Sequence, residues 1–145
     1  MKEIYIIRHG ETDFNHKGIV QGRGVNSSLN NKGREQSKNF YEAYKTSGFE
    51  KIYVSTLKRT HETVDLFQHH DIEIEKHQGL DEISWGIHEG KSNGETFKQF
   101  YEILHAWKSG DIDVKIEAGE SPLDVQQRQK EFIKDIIERK ENKIL

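Results

Sequence analysis

Apolar positions along this chain follow two rhythms. Four short runs, Ile4–Ile7, Lys51–Ser55, Ile72–Glu75 and one beginning at Ile144–Leu145, have the length and β-branched content of strands. The first, stopping at Arg8 with Gly10 close behind, reads as a parallel strand buried on both faces. Ser37, Phe40, Tyr41 and Tyr44 repeat at helical spacing between the first two strands. A second helix is predicted over about Lys58–His69, with Val64 and Phe67 facing in, and a third after Gly94, striped by Phe97, Phe100, Tyr101, Leu104 and Trp107. Ser121-Pro122-Leu123-Asp124 opens a fourth, with Ser121 as N-cap and Pro122 at the first helical position, and Phe132, Ile133, Ile136 and Ile137 toward the sheet. Strands alternating with helices imply right-handed crossovers and a mainly parallel sheet covered on both faces, an α/β fold of three layers. Without an internal repeat or a Gly/Pro/Ser-rich linker, residues 1–145 read as a single domain.

Composition changes this picture little. A hydrophobic share of 32% would suit a disordered chain if the apolar residues were scattered, but they cluster, and seven Phe, five Tyr and two Trp supply bulk for a small core. A net charge of −3 gives no basic footprint for nucleic acid. No apolar stretch approaches a membrane span and no leader precedes the first strand, so a cytoplasmic setting without membrane contact is expected. The absence of cysteine excludes disulfides, thiolate metal sites and cysteine nucleophiles.

The chemistry is suggested by where the strands end. Arg8 and His9 follow the first, Arg59 follows the second in Thr56-Leu57-Lys58-Arg59-Thr60, and Asp81-Glu82 follows the third. In an open parallel sheet these points share one edge, where ligands bind. Two guanidinium forks beside the Gly10 amide suit a phosphate dianion. A neutral imidazole there could attack phosphorus, and Glu82 could protonate the leaving alkoxide and later take a proton from water. Asp81 and Glu89 are acidic competitors for that role. Fixed positive charge would do what Mg²⁺ does elsewhere, so no cofactor and no metal is expected. Asp111-Ile112-Asp113 follows Lys108-Ser109-Gly110 rather than an apolar strand and reads as a surface turn.

Arg8-His9-Gly10-Glu11-Thr12, with Asn15, Gln21-Gly22, Leu29 and Gly33-Arg34-Glu35-Gln36, resembles the histidine phosphatase superfamily with its phosphoglycerate mutase-like fold. So do Ser55-x-Leu57-x-Arg59-Thr60 with Thr63, Glu82-x3-Gly86-x2-Glu89-Gly90, and Gly119-Glu120-Ser121 with Arg128. The resemblance implies His9 as the phosphorylated nucleophile, Arg8, Asn15 and Arg59 as phosphate ligands, Glu82 as acid/base, and Gln21 and Gly22 on a loop lining the substrate side. It implies as well a second catalytic histidine at the end of the strand after the last helix. This chain stops at Leu145 inside that strand, so the expectation is a truncated domain lacking the C-terminal part of the sheet.

The expected activity is metal-independent hydrolysis of small phosphorylated metabolites through phosphohistidine. The alternatives are a phosphate-binding module with little turnover and a phosphoglycerate mutase. Residues from Ser92 to Ile116 are expected to form a lid, with Lys91, Phe97, Lys98 and Tyr101 facing substrate. Of the other histidines, His61, His69, His70 and His77 are expected in solvent and His105 at a helix edge, with His16 and His88 candidates for the substrate entrance.

Overall fold

In the computed structural model, which describes residues 1–145, the strands are β1 (Glu3–Ile4), β2 (Ile52–Val54), β3 (Ile74–Lys76) and β4 (Lys143–Ile144). The helices are α1 (Asp13–His16), α2 (Asn31–Tyr44), α3 (Lys58–Val64), α4 (Gly94–Lys108) and α5 (Pro122–Glu138). β2 and β3 pair in parallel with Ile52 opposite Ile74, and β1 and β4 pair in parallel with Ile4 opposite Ile144. A parallel bridge from Lys51 to Ile144 and the Tyr53 N–H to Leu145 carbonyl bond of 2.8 Å join the two halves. The strands therefore run β3-β2-β4-β1, all parallel.

Alternation along the strands builds the three layers. Ile52, Val54 and Leu145 pack with Phe49, Val64 and Phe67 beneath α2 and α3, while Tyr53 and Ile144 meet Phe132 and Ile136 of α5 on the other face. α5 starts as its sequence predicts: Ser121 Oγ accepts the Asp124 amide, the Asp124 carboxylate accepts the Ser121 amide, and Pro122 follows the cap. No helix is long and apolar enough to cross a membrane.

Several expectations change. The second helix gives way to a 3₁₀ segment over Asp65–His70, and the third strand begins two residues late, because Asp71 turns the backbone through a left-handed conformation at φ 55°. The first run is not buried on both faces. Its last rung is Tyr5 N–H to Ile144 O at 2.8 Å, β4 partners it on one side only, and Ile6 is 90% exposed. Ile133 and Ile137 are exposed as well, facing Ile4 and Ile6 across an apolar groove of about 540 Å³, so α5 buries only Phe132 and Ile136 of its predicted face. In α4, Phe100 and Trp107 rest on Trp85 with ring centroids at 4.4 and 5.5 Å, but Tyr101 points outward.

Candidate active site

The turn after β1 is held by close backbone approach. A Cβ on Gly10 would lie 2.7 Å from the Gly33 carbonyl oxygen, so only glycine fits against α2. The Gly10 amide donates to Thr63 Oγ1 at 3.0 Å, and that hydroxyl donates to the Arg59 carbonyl at 2.7 Å. Gly10 is thus a lining residue whose donor is already committed, contrary to its expected use as an amide ligand for phosphate.

The same turn sets the state of His9. Its Nδ1 lies 2.7 Å from the Gly10 carbonyl, which can only accept, so Nδ1 carries the proton and Nε2 presents a lone pair. Burial lowers the imidazole pKa below 6.5, against the bond to Gly10, and the nearby Arg59 and Arg8 charges lower it further. His9 is a neutral imidazole at neutral pH.

Arg59, in the first turn of α3, is fully buried. It donates to the carbonyls of Val25 at 2.6 Å and Gly22 at 3.3 Å, and its Nε has no partner. Burial lowers its pKa, opposed by the fields of Glu82, Glu89 and Asp81. A buried guanidinium held by neutral carbonyls keeps its charge uncompensated at close range, an arrangement that favours an anion beside it.

Arg8, His9, Arg59, Asp81 and Glu82, from three strand ends, line one cavity of about 780 Å³. Asn15 and Gly10 lie in an adjoining hollow of about 470 Å³, which shares Arg8 and His9 with the first. The Asn15 carbonyl oxygen is taken by the amide and hydroxyl of Thr12 at 3.1 and 3.0 Å in the α1 capping box, which leaves its Nδ2 as the available donor.

The structure separates the three acidic candidates. Asp81 accepts from the Thr56 amide at 2.8 Å, the Thr56 hydroxyl at 2.9 Å and Arg23 at 3.3 Å. Glu89 accepts from Ser84 Oγ at 3.1 Å and the Trp85 amide at 2.9 Å, wedged where a Cβ on Gly22 or Gly24 would stand. Glu82 alone keeps its carboxylate free of protein hydrogen bonds in the cavity beside His9.

Other expected site residues lie apart. Gln21 bridges Thr12 Oγ1 at 2.9 Å and Ser27 Oγ at 2.8 Å, and the Gly22 carbonyl holds Arg59, so both support the site without lining its cavities. His88 is buried against Gln99 at 2.8 Å rather than at an entrance. His16 is exposed on α1, and His77 caps the Gly79 amide while packing on Phe132 at 4.6 Å. No residue from 92 to 116 lines either cavity, so the expected lid does not face His9; Leu57, Ile83, Pro122, Val125, Gln126 and Gln129 form the outer wall. No group of three or more His, Cys, Asp or Glu converges to hold a metal ion, and Asp111 and Asp113 are exposed in a turn.

Sequence reasoning gave no role to Arg23, or to Thr63, Glu120 and Arg128 beyond their place in a motif. Arg23 bonds Asp81 and Glu120, and Glu120 bonds Arg128 at 2.9 Å. The available signal was a Glu just before the N-cap of an amphipathic helix and an Arg in its second turn, which is not specific.

The model for the histidine phosphatase superfamily (branch 1) matches residues 4–145. Phosphoserine phosphatase 1 of Hydrogenobacter thermophilus is 27% identical over 96% of this chain and 66% of its own length. Fructose-2,6-bisphosphatase of Saccharomyces cerevisiae is 29% identical over 99% of this chain and 31% of its own length. The crystal structure of the alpha-ribazole phosphatase from Shigella flexneri superposes with a TM-score of 0.81 at 26% identity, covering 96% of this chain and 69% of that one. The chain thus spans about two thirds of the length of the first of these relatives.

Proposed function

This chain belongs to the histidine phosphatase superfamily, branch 1, and we propose that it hydrolyses small phosphomonoesters through a phosphohistidine on His9. The observation that carries this is the pairing of His9, Nδ1 tied down and Nε2 bare, with the buried Arg59 whose charge meets only carbonyls. Nε2 attacks phosphorus as the ester oxygen leaves. Arg59 and Arg8 balance charge on the equatorial oxygens in a site where no reorganisation is needed, so the step runs without a metal. Glu82 gives its proton to the departing alkoxide, then takes one from the water that attacks phosphohistidine and returns His9 to its neutral form. The names of the relatives, acting on phosphoserine, fructose bisphosphate and ribazole phosphate, support a small phosphorylated metabolite as substrate. The wall of Leu57, Ile83, Val125 and Gln126 suits the body of such a molecule, and a cytoplasmic location agrees with it.

The test is release of phosphate from p-nitrophenyl phosphate in excess EDTA, with a quenched sample trapping an acid-labile, base-stable phosphoenzyme. His9→Ala is expected to abolish both signals. Activity that disappears with chelator would overturn the metal-free step. Vanadate binding without phosphate release would mark a phosphate-binding module, and phosphoryl transfer to a second hydroxyl in preference to water would mark a mutase.

A further inference from the structure

Glu82 lies in an irregular stretch that follows a single 3₁₀ turn over Gln78–Leu80, and one side chain of α5 gathers the backbone carbonyls on both sides of it. Arg128 of α5 donates to four carbonyls within five residues, those of Gln78 at 3.2 Å, Gly79 at 2.8 Å, Asp81 at 2.7 Å and Glu82 at 3.3 Å. Its fork is aimed by Glu120, which accepts from Arg128 Nε at 2.9 Å and NH2 at 3.2 Å. Burial works against charge on Glu120, but the bonds from Arg128 and the Ser84 amide and the fields of Arg128 and Arg23 outweigh it and hold its pKa below the ordinary carboxylate value.

Glu120 is itself rigidly placed. Its amide donates to the Ser84 carbonyl at 2.9 Å while the Ser84 amide donates to its carboxylate at 2.9 Å. A Cβ on Gly86 would meet the Glu117 carbonyl at 2.0 Å, so the two backbones touch, and Ala118 sits in the left-handed region at φ 58°. A non-glycine residue persists there only where its surroundings over-determine it. From Glu120 the network continues through Arg23 at 3.0 Å to the loop whose Gly22 and Val25 carbonyls grip Arg59.

Building on the phosphatase reading above, we propose that Arg128, oriented by Glu120, is the positioning residue for the proton donor Glu82. Arg128 lines neither cavity, so it acts through the groups it holds, the carbonyls around Glu82 first among them, and not on the substrate itself. A carboxyl group displaced by about 1 Å still leaves the phosphate pocket assembled, yet it delivers its proton poorly to a basic leaving group. Activated esters need little of that proton. The effect of disturbing the clamp therefore depends on the leaving group.

The experiment compares kcat/KM for p-nitrophenyl phosphate and an alkyl phosphate in the full-length protein, its Glu82→Gln form, and the Arg128→Lys and Glu120→Gln variants. The alkyl-to-aryl ratio is internal to each preparation, so a lower folded fraction cancels from it. We expect the ratio to fall about 100-fold in Glu82→Gln and about 10-fold in each clamp variant. A ratio that falls in Glu82→Gln but not in either clamp variant, whatever their melting temperatures, overturns the positioning role and leaves the phosphatase reading intact. An unchanged ratio in Glu82→Gln removes the proton donor and this inference together, while phosphoenzyme formation at His9 still reports on the nucleophile.

Discussion

The cations at the amino ends of the strands and the two that line the cavity at the carboxyl ends are partnered in opposite ways. At the amino ends of the strands, Lys51 bonds Glu73 at 2.6 Å and Glu75 at 2.9 Å, Lys143 bonds Glu3 at 3.4 Å, and Arg139 bonds Asp135 at 2.9 Å and Glu75 at 3.4 Å. At the carboxyl ends, Arg23 and Arg128 are paired in the same way with Asp81 and Glu120, but the two cations that line the cavity are not: Arg59 has only two carbonyls, and Arg8 stands exposed beside His9. Basicity follows the pairing. Burial would lower Lys51 and Lys143, yet bonded carboxylates hold both above their ordinary value, and the Asp135 bond raises Arg139; Arg59 and His9 are both lowered. A cation with a carboxylate partner is part of the scaffold, whereas one buried without such a partner is held ready for an anion.

Exchanging charge for hydrocarbon at each end tests this contrast most severely. Arg59→Met is expected to lower kcat/KM by about 10²–10³-fold, as loss of one charge-stabilising donor does. Stability should change little, because relief from burying a guanidinium offsets the bonds lost by Gly22 and Val25. Near-normal turnover with a collapsed melting temperature would make Arg59 a scaffold residue and end the comparison. Lys51→Met should do the reverse, leaving kcat/KM unchanged and lowering the melting temperature by about 3 °C as two charged bonds disappear. A change in turnover there would show that the two ends are coupled through the sheet.

What the sequence disclosed of this contrast was its locations rather than its partners. Arg8, Arg59 and Glu82 could be placed at strand ends because an apolar run gives way to charge within a few residues, a local signal. The commitment of the Gly10 amide was hidden because Thr63 lies 53 residues away. Asp81 and Glu89 could not be told from Glu82 for the same reason, since the Thr56, Arg23, Ser84 and Trp85 donors that occupy them are set by packing. Burial of Ile4–Ile7 was overread, as an apolar run says nothing about whether strands flank both sides. The insertion of β4 between β1 and β2 is likewise a property of crossovers, which leave no mark on local pattern.

The smallest expected effect is the most direct reading of the unpaired cations. Burial is the main cause of the lowered His9 pKa, with Arg59 and then Arg8 adding to it. The unfolded chain has an ordinary imidazole at 6.5, so between the folded pKa and 6.5 it binds more protons than the native protein does. Stability therefore falls as pH drops through 6.5 and levels off below the folded pKa, while above 6.5 His9 contributes no slope. The acid limb of kcat/KM, which reports the free enzyme, should follow the same group and lie below 6.5. A ring-proton NMR titration measures it directly: Arg59→Met should move the midpoint up in part and Arg8→Gln by less, with neither restoring 6.5, because the burial remains. A midpoint at or above 6.5 in the unmodified protein would mean that a carboxylate reaches His9 after all, and the cavity would then be paired like the amino edge.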